Sequence, residues 1–171
     1  MRAASVTAIL AALREHHVRY VIVGGLAVNA HGFLRFTKDA DFVIDLVPEN
    51  ILATFSALAG LGYRPNVPIT AEQFANLENR QIWIREKGML VLQFWSDEHR
   101  ETPIDVFIEM PFDFATEFAA APTKELRGVG PIPIVTLPTL FAMKRAANRE
   151  SDRIDLENLR LLHPNEGLPN A

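Results

Sequence analysis

Two aspartates, Asp39 and Asp41, stand at the start of a predicted strand, just before the apolar residues 42–44. The side chains of a β-strand alternate between its two faces, so residues two apart project from the same face. Two carboxylates held side by side repel each other, and an apolar strand is expected to present such a pair only with a compensating cation. Hard divalent ions prefer oxygen ligands of this kind. The spacing therefore predicts a site for a divalent metal ion.

A third acidic residue, Asp105, has the same local setting. It lies between Ile104 and Val106, as Asp41 lies between two apolar neighbours. If the two strands pair side by side, Asp105 completes a cluster of three carboxylates, which is sufficient for a two-metal site that acts on phosphates. The acidic residues of the preceding loop, 96–103, are interpreted as solvated surface charges.

A glycine pair, Gly24-Gly25, ends the apolar strand predicted at residues 18–23 and precedes a short helix predicted at 26–32. Glycines allow a close approach of the backbone, and the first turn of a helix has free N–H groups that suit a phosphate. Alone, the pair indicates only a tight turn. A dinucleotide-binding fingerprint is disfavoured because the third glycine is missing at the right spacing.

The apolar periodicity predicts helices and strands in alternation. Helices are predicted at 4–16, 26–32, 48–58, 70–77, 113–121, 138–148 and 151–162, the last two with Thr136 and Ser151 as N-caps. Strands are predicted at 18–23, 39–46, 104–109 and 128–135, and as a hairpin of 81–86 and 89–95 around Lys87-Gly88. The fold class is therefore α/β (α+β), a small mixed sheet covered by helices. The predicted division is a core at 1–135 and a C-terminal helical region at 136–171.

The composition excludes several classes of function. A chain of 171 residues with a net charge of −4 argues against nonspecific coating of nucleic acid. It contains no cysteine, which excludes disulfides, a thiolate nucleophile and cysteine-ligated zinc and fits a reducing, cytoplasmic location. No continuous apolar span of about 18 residues occurs, so no membrane helix is expected.

In combination, these motifs resemble a known group of enzymes. The order Gly24-Gly25, Asp39-x-Asp41 and a later Asp105 is similar to the polymerase-beta-like nucleotidyltransferase superfamily, in its small bacterial branch. The segments GGLAVNAHGFLRFTKDADFVID and LPTLFAMKRAANRESDRIDLENL resemble the abortive-infection and toxin-type nucleotidyltransferases in particular.

The resemblance implies a Mg²⁺-dependent enzyme that moves a nucleoside monophosphate from an NTP to an acceptor hydroxyl and releases pyrophosphate. Two Mg²⁺ ions would be held by Asp39 and Asp41, and Asp105 would bind one of them and activate the acceptor. The implied nucleotide-binding residues are Gly24, Gly25, Arg35, Lys38 and Lys144. Asp152 matches an acid that recurs in the toxin-type branch, without an assigned role. Many members have serine where this chain has Gly25.

Other interpretations of the sequence stay open. The chain also fits a catalytically silent nucleotide-binding regulator or antitoxin component, or a structural protein in which the acids only order loops. Lys144 fits an exposed helix face as well as a phosphate site. The sequence does not choose among ATP and the other NTPs, or among a protein, a tRNA and a small molecule as acceptor. A homodimer or a toxin-antitoxin partner is possible.

Overall fold

The computed structural model describes residues 1–166, which form a mixed sheet covered by helices, and this confirms the predicted fold class. The helices are α1 (Ala3–Glu15), α2 (Gly24–Ala30), α3 (Pro48–Gly60), α4 (Ala71–Ala75), α5 (Leu77–Lys87), α6 (Phe114–Ala120), α7 (Leu137–Ala147) and α8 (Glu150–Leu162). The strands are β1 (Tyr20–Ile22), β2 (Ala40–Ile44), β3 (Arg64–Pro65), β4 (Val91–Trp95), β5 (Ile104–Phe107), β6 (Thr123–Leu126) and β7 (Gly130–Pro133). Among residues 1–166, no helix is both long enough and apolar enough to cross a bilayer.

The main sheet has five strands in the order β1-β2-β5-β4-β3. Strands β2 and β5 run parallel, and the other neighbours are antiparallel. The hairpin of β6 and β7 approaches β1 through a parallel bridge between Ile22 and Ile134. The two strands that carry the predicted acidic residues are therefore direct neighbours in the middle of the sheet.

One face of the sheet forms the hydrophobic core. Alternate residues of the two central strands, among them Phe42, Ile44 and Val106, are buried and pack with Leu13 of α1 and Leu58 of α3. Burial of such side chains is the main stabilising contribution to a fold of this kind. Because strand side chains alternate, Asp41 and Val43 project from the opposite face, which is buried and apolar at Val43 and polar at Asp41.

The predicted hairpin at 81–95 is wrong in its first half, because residues 81–86 belong to helix α5. Asn76 caps this helix by accepting a hydrogen bond from the backbone N–H of Asn79. Gly88 ends it in a left-handed conformation with φ of 59°. A left-handed glycine serves equally in a hairpin turn and at a helix C-terminus, so Lys87-Gly88 does not distinguish the two.

Two further differences concern the C-terminal part of the chain. Ser151 is not the N-cap of the last helix: Arg149 occupies that position, and its backbone N–H donates to the carboxylate of Asp152. The prediction also missed β6, which pairs with β7. The division at residue 136 stays a prediction, and the end of its second part, from residue 167 on, lies outside the described residues.

Candidate active site

The pairing of β2 with β5 places Asp41 directly opposite Asp105. In a parallel pair, residues in register project from the same face of the sheet. Asp39, just before β2, is close enough to add electrostatic repulsion to both carboxylates. The structure thus brings together the three acidic residues that the sequence singles out.

Asp41 has the most unusual environment of the three. The pKa of its carboxyl is raised to about 7, chiefly by burial and also by the charges of Asp105 and Asp39. A hydrogen bond from the Gly25 backbone N–H and the charge of Lys144 oppose this shift. A carboxyl group with such a pKa is only partly ionised at neutral pH in the absence of an added cation. Perturbation of this kind is typical of functional sites.

The raised pKa of Asp41 predicts that Asp41→Asn stabilises the protein when divalent ions are absent. Because the folded pKa lies above the unfolded one, ionisation of Asp41 costs stability at pH 8 and costs nothing at pH 4 and below. We expect the free energy of unfolding to rise by about 1–3 kcal/mol at pH 8 and by almost nothing near pH 4. Urea unfolding at the two pH values measures the change.

The control for this prediction is Asp97→Asn. The carboxylate of Asp97 is more than half exposed and pairs only with Arg64 and Arg100 at the surface. Its replacement should change stability by less than about 0.5 kcal/mol at either pH. A loss of stability at pH 8 in Asp41→Asn would contradict the electrostatic account of the site.

Asp105 is held by a neighbour on the next strand. Gln93 on β4 is in register with Asp105, and its side-chain Nε2 donates to Oδ1 of the carboxylate over 3.0 Å. Burial raises the pKa of Asp105, the hydrogen bond from Gln93 lowers it, and the charge of Asp39 raises it. One oxygen of the carboxylate is therefore oriented by the protein.

The two glycines lie against side chains of the site itself. Gly24 has φ of 60°, and a Cβ at this position would lie 2.1 Å from Oδ2 of Asp41. A Cβ at Gly25 would lie 2.3 Å from Oγ1 of Thr37. The space that glycine provides is thus filled here by Asp41 and by Thr37, a residue that the sequence analysis missed.

Gly24→Ala is expected to disturb both the fold and the position of Asp41. The left-handed conformation alone costs a non-glycine residue about 1–2 kcal/mol, and the added methyl group would collide with the carboxylate. We expect the free energy of unfolding to fall by at least about 2 kcal/mol. Gly60→Ala is the matched control, because Gly60 lies at the end of α3 with nothing near its missing Cβ. Equal stability of the two variants would contradict the packing described.

An ionic cluster built on two buried carboxylates lies beside Asp41, and we call its five members, Lys144, Asp152, Asp155, Arg35 and Arg149, the Lys144 cluster. Lys144 donates to Asp152 over 2.8 Å and lies 2.6 Å from Asp155. Arg35 forms a two-pronged ion pair with Asp155 at 2.5 and 2.8 Å, and Arg149 pairs with Asp152 at 2.7 Å. Three cations thus surround two buried carboxylates.

The Lys144 cluster revises what the sequence indicated about its members. Lys144 is 5% exposed, so it is not part of a solvated helix face. Asp152 has a clear structural role, since it pairs with Lys144 and caps α8. The sequence analysis missed Asp155, although its spacing of three residues from Asp152 places both on one face of α8. Lys38, in contrast, is exposed and forms no ion pair within the part of the chain that the structure describes.

The site supplies oxygen ligands but not a complete metal shell. Within residues 1–166, no group of three or more histidine, aspartate or glutamate side chains is arranged to hold a metal ion by itself. The chemistry of the three aspartates nevertheless fits a hard divalent cation, because Mg²⁺ needs only one or two carboxylates when phosphates and waters provide the other ligands. The raised pKa of Asp41 is the expected property of a carboxylate that lacks such a cation.

Solved structures with a similar fold are nucleotidyltransferases. The antibiotic-resistance factor ANT(2'')-Ia matches with a TM-score of 0.59 and 18% identity over 98% of this chain and 86% of its own. The same protein in complex with adenylyl-2''-tobramycin gives 0.56 and 17% over 96% and 88%. The lincosamide antibiotic adenylyltransferase LnuA, with lincomycin bound, gives 0.59 and 15% over 95% and 98%. At these identities the likeness shows the fold, which is that of these nucleotidyltransferases.

Comparison of sequences alone adds no assignment. No protein-family model matches the chain, and no curated protein matches it either.

Proposed function

We propose that the protein is a nucleotidyltransferase that moves a nucleoside monophosphate from an NTP to an acceptor hydroxyl group. The observation that carries the proposal is the meeting of Asp41 and Asp105 in register, with Asp39 beside them, on the face of the sheet away from the core. Acidic side chains that repel one another reduce stability, and their presence therefore indicates a function. The fold shared with adenylyltransferases supports ATP as the first nucleotide to test.

The three aspartates are the proposed ligands of Mg²⁺, with two ions expected as in related phosphoryl-transfer sites. When bound, the metal neutralises phosphate charge and lowers the pKa of an oxygen that it contacts. Asp39 and Asp41, from one strand segment, provide ligands on one side of the site, and Asp105 provides one on the other.

The proposed reaction is a displacement at the α-phosphorus of the NTP. The acceptor oxygen attacks the α-phosphorus of the NTP, and a new P–O bond forms as the bond between the α-phosphorus and its bridging oxygen breaks. The hydroxyl proton passes to the carboxylate of Asp105, and pyrophosphate leaves. Holding both reactants in line accounts for a large part of the rate in such transfers.

The triphosphate is assigned to the cationic side of the site. Arg35 is partly exposed and already fixed by Asp155, so the protein spends little conformational entropy in presenting it. Lys144 is buried against Asp152 and Asp155 and is proposed to act on the phosphates through its charge. Lys38 is exposed beside Asp39 and can reach a phosphate directly. Gly24 and Gly25 are proposed to act through their backbone, and the room beside them is taken by the side chains of Asp41 and Thr37.

Three classes of acceptor fit the proposed reaction: a small hydroxylated molecule, a protein and a tRNA. LnuA was solved with lincomycin bound and ANT(2'')-Ia with an adenylylated tobramycin, which supports a small hydroxylated molecule. The likeness of two sequence segments to toxin-type nucleotidyltransferases supports a protein or a tRNA instead. The experiment must therefore sample all three classes.

The test is incubation of the purified protein with each α-labelled NTP, Mg²⁺ and a whole-cell extract, followed by separation of protein, RNA and small molecules. Label is expected in one fraction and is expected to disappear when EDTA is added. If no NTP yields label in any fraction, the enzymatic proposal is wrong. A rise in melting temperature with Mg²⁺ and a nonhydrolysable NTP in that case would identify a silent nucleotide-binding regulator.

A further inference from the structure

Gln93 continues the row of functional side chains across the sheet. Asp41 on β2 is in register with Asp105 on β5, and Asp105 is in register with Gln93 on β4. The three side chains therefore project from the same face on adjacent strands, about 4.8 Å apart from strand to strand. The row ends in an amide next to the carboxylate that we assign as proton acceptor.

The orientation of the Gln93 amide is fixed from both sides. Its Nε2 donates to Oδ1 of Asp105 over 3.0 Å. On the other side, Nδ2 of Asn66 lies 3.5 Å from the side-chain oxygen Oε1 of Gln93. The backbone N–H of Asn66 also donates to the main-chain carbonyl of Gln93 over 2.9 Å, which keeps the two residues adjacent. The oxygen of the amide thus faces Asn66, and its N–H groups face the carboxylate.

Packing alone does not call for glutamine at this position. The neighbours Leu92 and Phe94 fill the core from the opposite face, whereas Gln93 is only partly buried. A β-branched or aliphatic residue would suit the strand at least as well and would not need to order a flexible polar chain. The amide is therefore explained by its contact with Asp105.

We propose that Gln93 is a positioning residue for the transfer, one that holds Asp105 through Oδ1 so that its other oxygen faces the reacting groups. This inference rests on the proposed function. In this role Gln93 acts on the reaction through its contact with Asp105. Residues that orient a functional carboxylate in this way contribute about 10–100-fold to metal binding or activity in other sites.

The first test is Gln93→Leu, which keeps the volume and removes the donor. We expect kcat to fall by about 10–100-fold while KM for the NTP changes by less than about threefold. In Gln93→Glu, kcat should fall by at least the same factor, because the new carboxylate repels that of Asp105. Gln93→His, which restores an N–H donor of similar reach, should recover a large part of kcat. Gln81→Leu, the same change at an exposed site on α5, is the matched control and should leave kcat unchanged.

The second test combines Gln93→Leu with Asp105→Asn. If Gln93 acts through Asp105, the double variant is no slower than Asp105→Asn alone, because the coupled residues are not additive. Unchanged kcat in both Gln93→Leu and Gln93→Glu, or a further loss in the double variant, would overturn the inference while leaving the proposed function intact. A wild-type protein without transfer activity would instead overturn the proposed function on which it rests.

Discussion

Asp41→Ala is expected to reduce transfer of label from an α-labelled NTP by more than about 1,000-fold. Asp41 lies opposite Asp105 and against Gly24. Its removal deletes one of the three proposed ligands of Mg²⁺. The fold is expected to survive, because the ionised carboxylate costs stability rather than providing it. Single-turnover assays at saturating Mg²⁺ measure the loss.

Asp97→Ala serves as the control for Asp41→Ala. Asp97 is an exposed aspartate of the loop before β5 and is not expected to affect transfer. Circular dichroism and the melting temperature show whether each variant is folded. Undiminished transfer by folded Asp41→Ala would refute the assignment of the site.

Lys144→Met is expected to lower the free energy of unfolding by about 3–5 kcal/mol. Lys144 is the shared partner of Asp152 and Asp155, whose side chains are 1% and 0% exposed. Removing the ammonium group leaves the negative charges of two buried carboxylates only partly paired. Burial of unpaired charge is among the most destabilising changes known. Urea unfolding at neutral pH gives the value.

Arg149→Met is the comparison for Lys144→Met. Arg149 also pairs with Asp152, but its side chain is 72% exposed, so water replaces it readily and the loss should be about 1 kcal/mol or less. Adding Asp155→Asn to Lys144→Met should recover part of the stability, because it removes one of the uncompensated charges. Similar losses in Lys144→Met and Arg149→Met would contradict the role of burial in the Lys144 cluster.

The middle of the sheet could be predicted because its signals are strong and local. Segment 42–44 is continuously apolar and Asp105 has apolar neighbours on both sides, so the strands and the side-chain alternation followed directly. The region 81–88 could not be predicted in this way. Ile82, Trp83 and Ile84 favour a strand by propensity, and only the cap at Asn76 and the packing of the helix decide otherwise.

The partners of the aspartates were harder to predict than the aspartates. Thr37 and Gln93 are common polar residues, and only the folded chain shows that they contact Gly25 and Asp105. Asp155 pairs with Arg35 across 120 positions of sequence, a separation at which no local pattern carries information. A spacing of two or three residues can be read from the sequence, whereas long-range pairing requires the fold.

The ion pair between Arg35 and Asp155 affects when the proposed site can form during synthesis of the chain. The segment that leads into Asp39 is fastened by helix α8, which follows all three aspartates in the sequence. A nascent chain that ends before α8 already contains every aspartate of the site, yet it lacks both carboxylates that anchor Arg35 and Lys144. In such a fragment Arg35 and Lys144 lack these anchors, so we expect the proposed nucleotide site to form only after α8 has been made.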